Sequence, residues 1–372
     1  MSYSSVSGHR SMALDRVRND AYAAALARVV TPSSVVLDLG AGLGIHGLIA
    51  ARLGAKRVYL VEPEDVVSVA DEAVRANHLQ DVVQCLHGRL EDIQIPEQVD
   101  VIVSVFTGNL LLSEDLLPFL FRARDTFLKP GGALIPDRAT IEIAPVTAPR
   151  LHAREVAGWS DDQHGVTLEP ARHYAANDVH FRWERPDVAY LAEPRAVHAV
   201  DFLSDGYTAL HAETEFRIET AELCHGFAGW FTMRLGDRWV STAPTAEPMH
   251  WSAGYLPIDP PIALSVGDTV GLRLDRAPHG DWTWRVSWPG GTQRHSTMLA
   301  APMKAATLKK AAMDYMPVPN VDGTVAQYVL ACSNGSTPVR DIASGVRERW
   351  PSKFRTPEEA SRFVQVIVKQ YT

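Results

Sequence analysis

The stretch 36-VLDLGAGLG-44 joins an apolar run to three glycines, Gly40, Gly42 and Gly44, and a helical run, 45-IHGLIAARLG-54, follows at once. Glycines let a chain turn tightly and bring its backbone against a ligand, with the N–H groups of the helix start facing that ligand. The next apolar run ends in Glu62, twenty-four positions beyond Asp38. A carboxylate there can accept hydrogen bonds from both hydroxyls of a ribose. A nicotinamide dinucleotide is the obvious competitor for such a loop. Asp38, inside the strand, separates the two: it would repel a pyrophosphate but suits the cationic amino-acid portion of S-adenosylmethionine. The joint spacing predicts an S-adenosylmethionine site, with S-adenosylhomocysteine as product, rather than glycines that serve only a tight turn.

A second stretch, 104-SVFTGNLLLSED-115, ends in Glu114 and Asp115, and Glu114 is the candidate for chemistry. Two assignments compete for it: a reacting acid, or an ordinary acid at a helix N-terminus, since Ser113-Glu114-Asp115 opens the helical run 114-EDLLPFLF-121. The third stretch is 249-MHWSAGYLP-257. His250 there is either a proton acceptor or a buried histidine satisfied by backbone, and no partner for it is visible in the sequence.

The elements that position these residues alternate. Strands are predicted at 34–40, 57–62, 82–88, 99–105 and 132–138 with helices between them, after a helix from Met12 to Val30 that Thr31-Pro32 ends. Short apolar strands alternating with helices imply an α/β, Rossmann-like parallel sheet covered on both faces. After Arg138 come short β-type runs rich in aromatics, such as 226-GFAGWFTMRL-235 and 282-WTWRVSW-288, which predict an antiparallel β-barrel or sandwich. The segment 151–183 is less strand-like and reads as an inserted arm. At the end, Thr337 and Pro338 are placed to start one amphipathic helix, and Thr356 with Glu359 fits the capping box of another.

These motifs together resemble the protein arginine methyltransferases. MALDRVR, VLDLGAGLG, VYLVEPED, LHGRLEDIQIP, VDVIVSVFTGN, ARDTFLKPGGALIPDRAT and MHWSAGYLP occur in that order between Met12 and about Trp288. The resemblance implies that Arg18 grips the carboxylate of S-adenosylmethionine, Glu62 its ribose, and Leu90 with Glu91 its adenine. Asp38, Gly40 and Gly42 would shape the methionine end, and His9 and Tyr3 would lie over the site. It also implies a homodimer, through docking of the arm on a second subunit.

The same resemblance exposes a departure. The family brackets a guanidinium between two glutamates nine residues apart, and the matching positions here are Val105 and Glu114. A planar fork needs paired, charge-assisted acceptors, which a valine does not supply. The family's Thr-His-Trp is also Met249-His250-Trp251 here. An apolar wall at Val105 and Phe106, lined further by Trp251, would instead suit an amine, lowering its pKa by desolvation so that Glu114 or His250 takes its proton, with Asn109 orienting it.

Length, charge and the tail bound the rest. A chain of 372 residues with 46% hydrophobic residues exceeds a single core. A net charge of −8 without a long basic block argues against nucleic acid, and no apolar run reaches the ~20 residues of a membrane span. Cys85, Cys224 and Cys332 are widely spaced and lack metal-ligand spacing, so the expected compartment is the cytoplasm and no metal is expected. Four regions are expected: cofactor-capping helices (1–32), a Rossmann-like domain (33–145), a β-barrel domain (146–300) and a small C-terminal domain (301–372). The last is similar to the winged-helix peptide-recognition domains of enzymes that tailor ribosomally made peptides, although a merely structural helical extension competes with that assignment. Taken together, the chain resembles the methyltransferases of daptide-type pathways. The expected function is an S-adenosylmethionine-dependent N-methyltransferase acting on a peptide's terminal amine, with a precursor peptide or protein as partner. The alternatives are arginine N-methylation, with Asp115 or Glu142 as the second acid, and a non-catalytic scaffold.

Overall fold

The computed structural model describes residues 5–181, 188–207, 209–310 and 312–372. The chain divides into two compact units, Met1–Pro302 and Met303–Thr372.

The first unit begins with α1 (Val6–Ala13) and α2 (Arg16–Val29). The single helix expected from Met12 is thus two, because Asp15 leaves helical geometry and caps α2 by accepting from the Arg18 N–H at 3.0 Å. Then follow β1 (Val35–Leu39), α3 (Ile45–Arg52), β2 (Arg57–Glu62), α4 (Val67–Ala76), β3 (Val83–His87), β4 (Val99–Ser104), α5 (Leu117–Phe127) and β5 (Leu128–Ile135). The five strands form a parallel sheet in the order β3-β2-β1-β4-β5. Strand order reverses between β1 and β4, and ligands of open α/β sheets bind beyond the carboxyl ends of the strands at such a point. The glycine loop leaves β1 there and the Glu114 loop leaves β4. Two boundaries differ from expectation. Strand β5 starts at Leu128, because Leu128 already pairs with Val99 of β4, before an irregularity that ends where Ala133 pairs with Val101. Helix α5 starts at Leu117, since Asp115 is left-handed (φ 52°) and Pro118 favours a first-turn position.

The barrel-like half follows: β6 (Arg138–Thr147), α6 (Pro149–Glu155), α7 (Pro170–Ala175), β7 (Ala189–Tyr190), β8 (Arg195–Asp201), β9 (Leu210–Arg217), β10 (Leu223–Leu235), β11 (Arg238–Ser241), β12 (Gly254–Ala263), β13 (Thr269–Arg276), β14 (Trp282–Trp288) and β15 (Gly291–Ser296). One antiparallel sheet runs β11-β10-β6-β7 with β12 on β10 and β8 on β6, and another runs β15-β14-β13-β9. The arm carries α6 and α7 rather than strands; its last two expected residues, 182 and 183, lie outside the described residues. A single hydrophobic core runs from Val36, Leu37 and Ile102 of the parallel sheet to Phe216, Phe227 and Trp284 of the barrel, all buried completely. The two halves are therefore one folding unit.

The second unit contains α8 (Ala305–Lys310), α9 (Val321–Cys332), α10 (Val339–Arg349) and α11 (Pro357–Tyr371). Val325, Val329, Ile342, Val346, Ala360 and Val364 make its core. Thr356 and Glu359 form the capping box. Thr337 does not cap α10: its hydroxyl and N–H both bond Asn334 Oδ1. No strand occurs among the described residues of this unit, so the expected winged helix lacks its wing and the unit is a helical bundle.

Candidate functional site

At the switch point, Gly40, Gly42 and Gly44 take φ of 70°, 53° and 79°, conformations that an L side chain strains to reach. Two of them are also closely covered. A Cβ on Gly40 would overlap the Phe106 ring, and one on Gly42 would come within 2.8 Å of His9 Nδ1. The loop after β4 and the helix α1 thus close over the glycine loop from two sides. Glu62 fixes its shape, accepting from the Gly42 N–H at 2.8 Å and the Glu64 N–H at 3.0 Å. Asp38 accepts from the Gly47 N–H at 2.7 Å. Burial raises the Asp38 carboxyl to about 7; the Gly47 N–H opposes this and the neighbouring Glu62 adds to it.

A cavity of about 620 Å³ opens here. On its cofactor side lie His9, Arg18, Gly40, Gly42, Glu62, Leu90 and Glu91, and on its acceptor side Val105, Phe106, Asn109, Glu114, His250 and Trp251. Asp38 sits behind this wall, tied to α3. Tyr3 lies outside the described residues. Arg18 is almost wholly buried, spends Nε and Nη2 on Asn19 and the Met12 carbonyl, and leaves Nη1 buried with no hydrogen-bond partner among the described residues. A buried cationic donor without an acceptor is costly, and the carboxylate of an amino-acid ligand would satisfy it. With Glu62 beside the glycines, this donor set fits S-adenosylmethionine.

The acceptor side differs from expectation in three respects. Glu114 stands three residues before α5, so it is a loop acid and not a helix N-terminal one; its Oε1 accepts weakly from the Asn109 N–H at 3.4 Å. The Asn109 side chain is a strut: its oxygen accepts from the Ser252 N–H at 3.0 Å and ties this loop to the barrel. Neither proposed second acid reaches the cavity. Asp115 is held by Arg276 and Tyr207, and Glu142 accepts from Trp230 Nε1 at 3.0 Å and Thr232 Oγ1 at 2.6 Å inside the barrel.

His250 does have a partner. Asp15 Oδ2 accepts from the His250 backbone N–H at 2.8 Å and lies 3.2 Å from its Nδ1. Burial and the Arg18 charge lower the imidazole's pKa below its ordinary value, with Asp15 and Glu114 acting partly against them. A neutral imidazole beside a carboxylate can accept a proton. Asp15 was missed by sequence reasoning. Its capping position before RVR is a readable signal, but its pairing across 235 residues leaves none. Phe119, which meets the Phe106 ring edge-on at 6.3 Å, and the buried His46 also line the cavity unforeseen.

Comparison with known proteins bears on the family and the fold. Residues 23–136 match the model described as ribosomal protein L11 methyltransferase, and residues 137–286 that of the arginine methyltransferase oligomerization subdomain. The chain is 34% identical over 303 residues to the probable protein arginine N-methyltransferase 6.1 of Oryza sativa subsp. indica, covering 71% of this chain and 79% of that protein. It is 34% identical over 279 residues to protein arginine N-methyltransferase 6 of Xenopus tropicalis, covering 70% and 81%. Among solved structures it is similar to Arabidopsis thaliana protein arginine methyltransferase 10, with a TM-score of 0.68 and 25% identity over 79% of this chain and 99% of that one. It is also similar to the Trypanosoma brucei PRMT1 enzyme–prozyme heterotetrameric complex with AdoHcy, with a TM-score of 0.70 and 24% identity over 80% and 99%.

Proposed function

The chain belongs to the protein arginine N-methyltransferase family, an S-adenosylmethionine-dependent family, and from that premise we propose that it methylates a nitrogen of a protein or peptide. One observation carries the proposal: Glu114 and His250, the latter held by Asp15, line the same cavity as the covered glycine loop. When bound, the cofactor supplies an activated methyl group, so the chain's own task is to hold a nitrogen lone pair in line and to receive its proton. Arg18 and Glu62 anchor the donor. Glu114 receives the acceptor nitrogen, and neutral His250, oriented by Asp15, takes the proton.

The relatives support arginine as the acceptor better than the terminal amine expected from the sequence. On this reading Glu114 alone holds the guanidinium. A second reading, an aliphatic amine of a peptide, is favoured by Val105: one side of the pocket is apolar, and neither Asp115 nor Glu142 replaces the missing carboxylate. The precursor-peptide substrate, with the C-terminal unit as its docking module, belongs to this second reading. Homodimer formation through the arm is part of both, supported by the oligomerization-subdomain match and by the exposed Trp159, Val166 and Leu168.

Incubation with methyl-labelled S-adenosylmethionine and two peptide pools, followed by intact-mass analysis, tests the readings. One pool has arginines and blocked termini; the other has free terminal amines and no arginine. Label in the arginine pool supports the first reading, label in the amine pool the second, and label in neither argues against both.

A further inference from the structure

Asp115, immediately after Glu114, has a φ of 52°. Aspartate enters that region more readily than most residues, and contacts with its surroundings can hold it there. Here the barrel does so. Arg276, in β13, donates from Nη1 to Asp115 Oδ1 at 2.9 Å and from Nη2 to Oδ2 at 2.8 Å, a two-pronged fork. The Tyr207 hydroxyl donates to Oδ1 and accepts from Arg276 Nη1 at 2.8 Å. The His279 N–H reaches Oδ1 at 3.3 Å. Arg276 is only 5% exposed, with its guanidinium 5.4 Å from the Trp282 ring centroid, so the fork itself has little freedom.

On the other side of Glu114, Leu110 and Leu111 are completely buried and also left-handed, at 49° and 62°. The loop is thus pinned twice, once in the shared core and once on the barrel, and Glu114 stands between the pins. The direction of its carboxylate follows from the backbone that these pins impose. Release of the Asp115 pin would let Asp115 relax toward the αR region, where Leu116 already lies, and turn Glu114 away from the cavity.

We propose that Arg276 and Tyr207 act through Asp115 as positioning residues that aim the Glu114 carboxylate at the acceptor nitrogen. The barrel then sets the geometry of a reaction carried out at the end of the parallel sheet. This inference rests on the role given to Glu114 above. A plain ion pair that only joins the two halves is the competing account, and it predicts lost stability without a change in the site.

Two variants, the isosteric Asp115→Asn and Tyr207→Phe, which removes only a hydroxyl, change side-chain volume little. Crystal structures of the wild type and Asp115→Asn give the direct test, independent of any substrate. The expected result is a Glu114 carboxylate displaced by about 1 Å or more, a misplacement sufficient for large rate losses; a carboxylate in its original place overturns the proposal. The kinetic test uses the peptide labelled in the mass assay. Asp115→Asn should lower kcat about tenfold or more with cofactor affinity unchanged, and add less than about twofold in a Glu114→Gln background, since residues that act through one another are not additive. Arg276→Lys, which keeps the charge but loses the fork, should behave like Asp115→Asn. If Glu114→Gln slows the reaction but the two effects multiply, or Asp115→Asn turns over at the wild-type rate, the positioning role falls and the role of Glu114 stands. If Glu114→Gln alone is without effect, the role of Glu114 falls and the clamp falls with it.

Discussion

The two loops that meet at the switch point reach left-handed geometry by opposite means. After β1 the positive φ values fall on Gly40, Gly42 and Gly44, whereas after β4 they fall on Leu110, Leu111 and Asp115. The first loop follows from its own residues, for which such angles are nearly free of cost. The second is imposed by burial of leucines and by a barrel arginine, at roughly 1–2 kcal/mol per strained residue. A loop held from outside can change a side chain at its tip without losing its path. Where the resemblance places a carboxylate at 105, such a loop can carry Val105 while Glu114 keeps its station.

The largest effect is expected in the donor half. Glu62→Gln removes one charge but keeps the shape. Loss of charge-assisted hydrogen bonds to a ribose, worth about 2–3 kcal/mol, should weaken S-adenosylmethionine binding by roughly 30- to 150-fold in calorimetry. A dissociation constant within threefold of wild type would leave Glu62 as only the clasp of Gly42 and Glu64.

The acceptor half is tested in the opposite direction, by restoration. Val105→Glu returns the second carboxylate to a position that lines the cavity. An arginine peptide should gain about tenfold in kcat/KM from a paired acceptor, and an amine peptide should lose by a similar factor. Unchanged rates with both would mean that residue 105 does not meet the acceptor.

The contrast between the loops also marks how much could be read in advance. Strands β1 to β4, the glycine loop and the Glu62 position were legible because local composition and period determine them. The same was true of the Thr356–Glu359 capping box. The start of α5 was not, since Asp115 is held out of the helix by Arg276, 161 residues away. Asp15 and Arg276 were assigned no role, and the bond from Asn109 to Ser252 was not foreseen, for one reason: each acts by a hydrogen bond across more than a hundred residues, and such pairings have no period or spacing. The wing expected in the C-terminal unit failed differently. Its helix caps were real, but capped amphipathic helices fit a bare bundle as well as a winged one.

The Asp15–His250 pair joins the halves, and its effect is smaller. Burial keeps the imidazole neutral below its ordinary pKa, so the acid limb of kcat/KM should lie below pH 6.5, with activity falling as His250 protonates. Asp15 acts against that shift. Asp15→Asn should therefore move the acid limb to still lower pH, with a loss of only a few-fold on the plateau as the ring's orientation loosens. An acid limb that moves up in pH, or does not move, would dissociate His250 from the limb.

The smallest effect lies behind the glycine loop and bears on why an acid stands in β1 at all. Asp38, raised to about 7 by burial with Glu62 beside it, holds its proton far more readily near neutral pH than an ordinary aspartate. A ligand that brings a sulfonium and an ammonium favours the carboxylate and lowers that pKa by a unit or more. Binding near pH 7 should then release a fraction of a proton, read as a difference in calorimetric enthalpy between phosphate and Tris buffers. The sign follows directly: protons leave on binding, so affinity rises as pH passes upward through 7 and levels off above about 8, where Asp38 is already ionised. Asp38→Asn should abolish the buffer dependence while keeping a hydrogen bond to the Gly47 N–H. If wild type shows no buffer dependence, Asp38 is ionised before the cofactor arrives, and its work is confined to tying α3 to the end of β1.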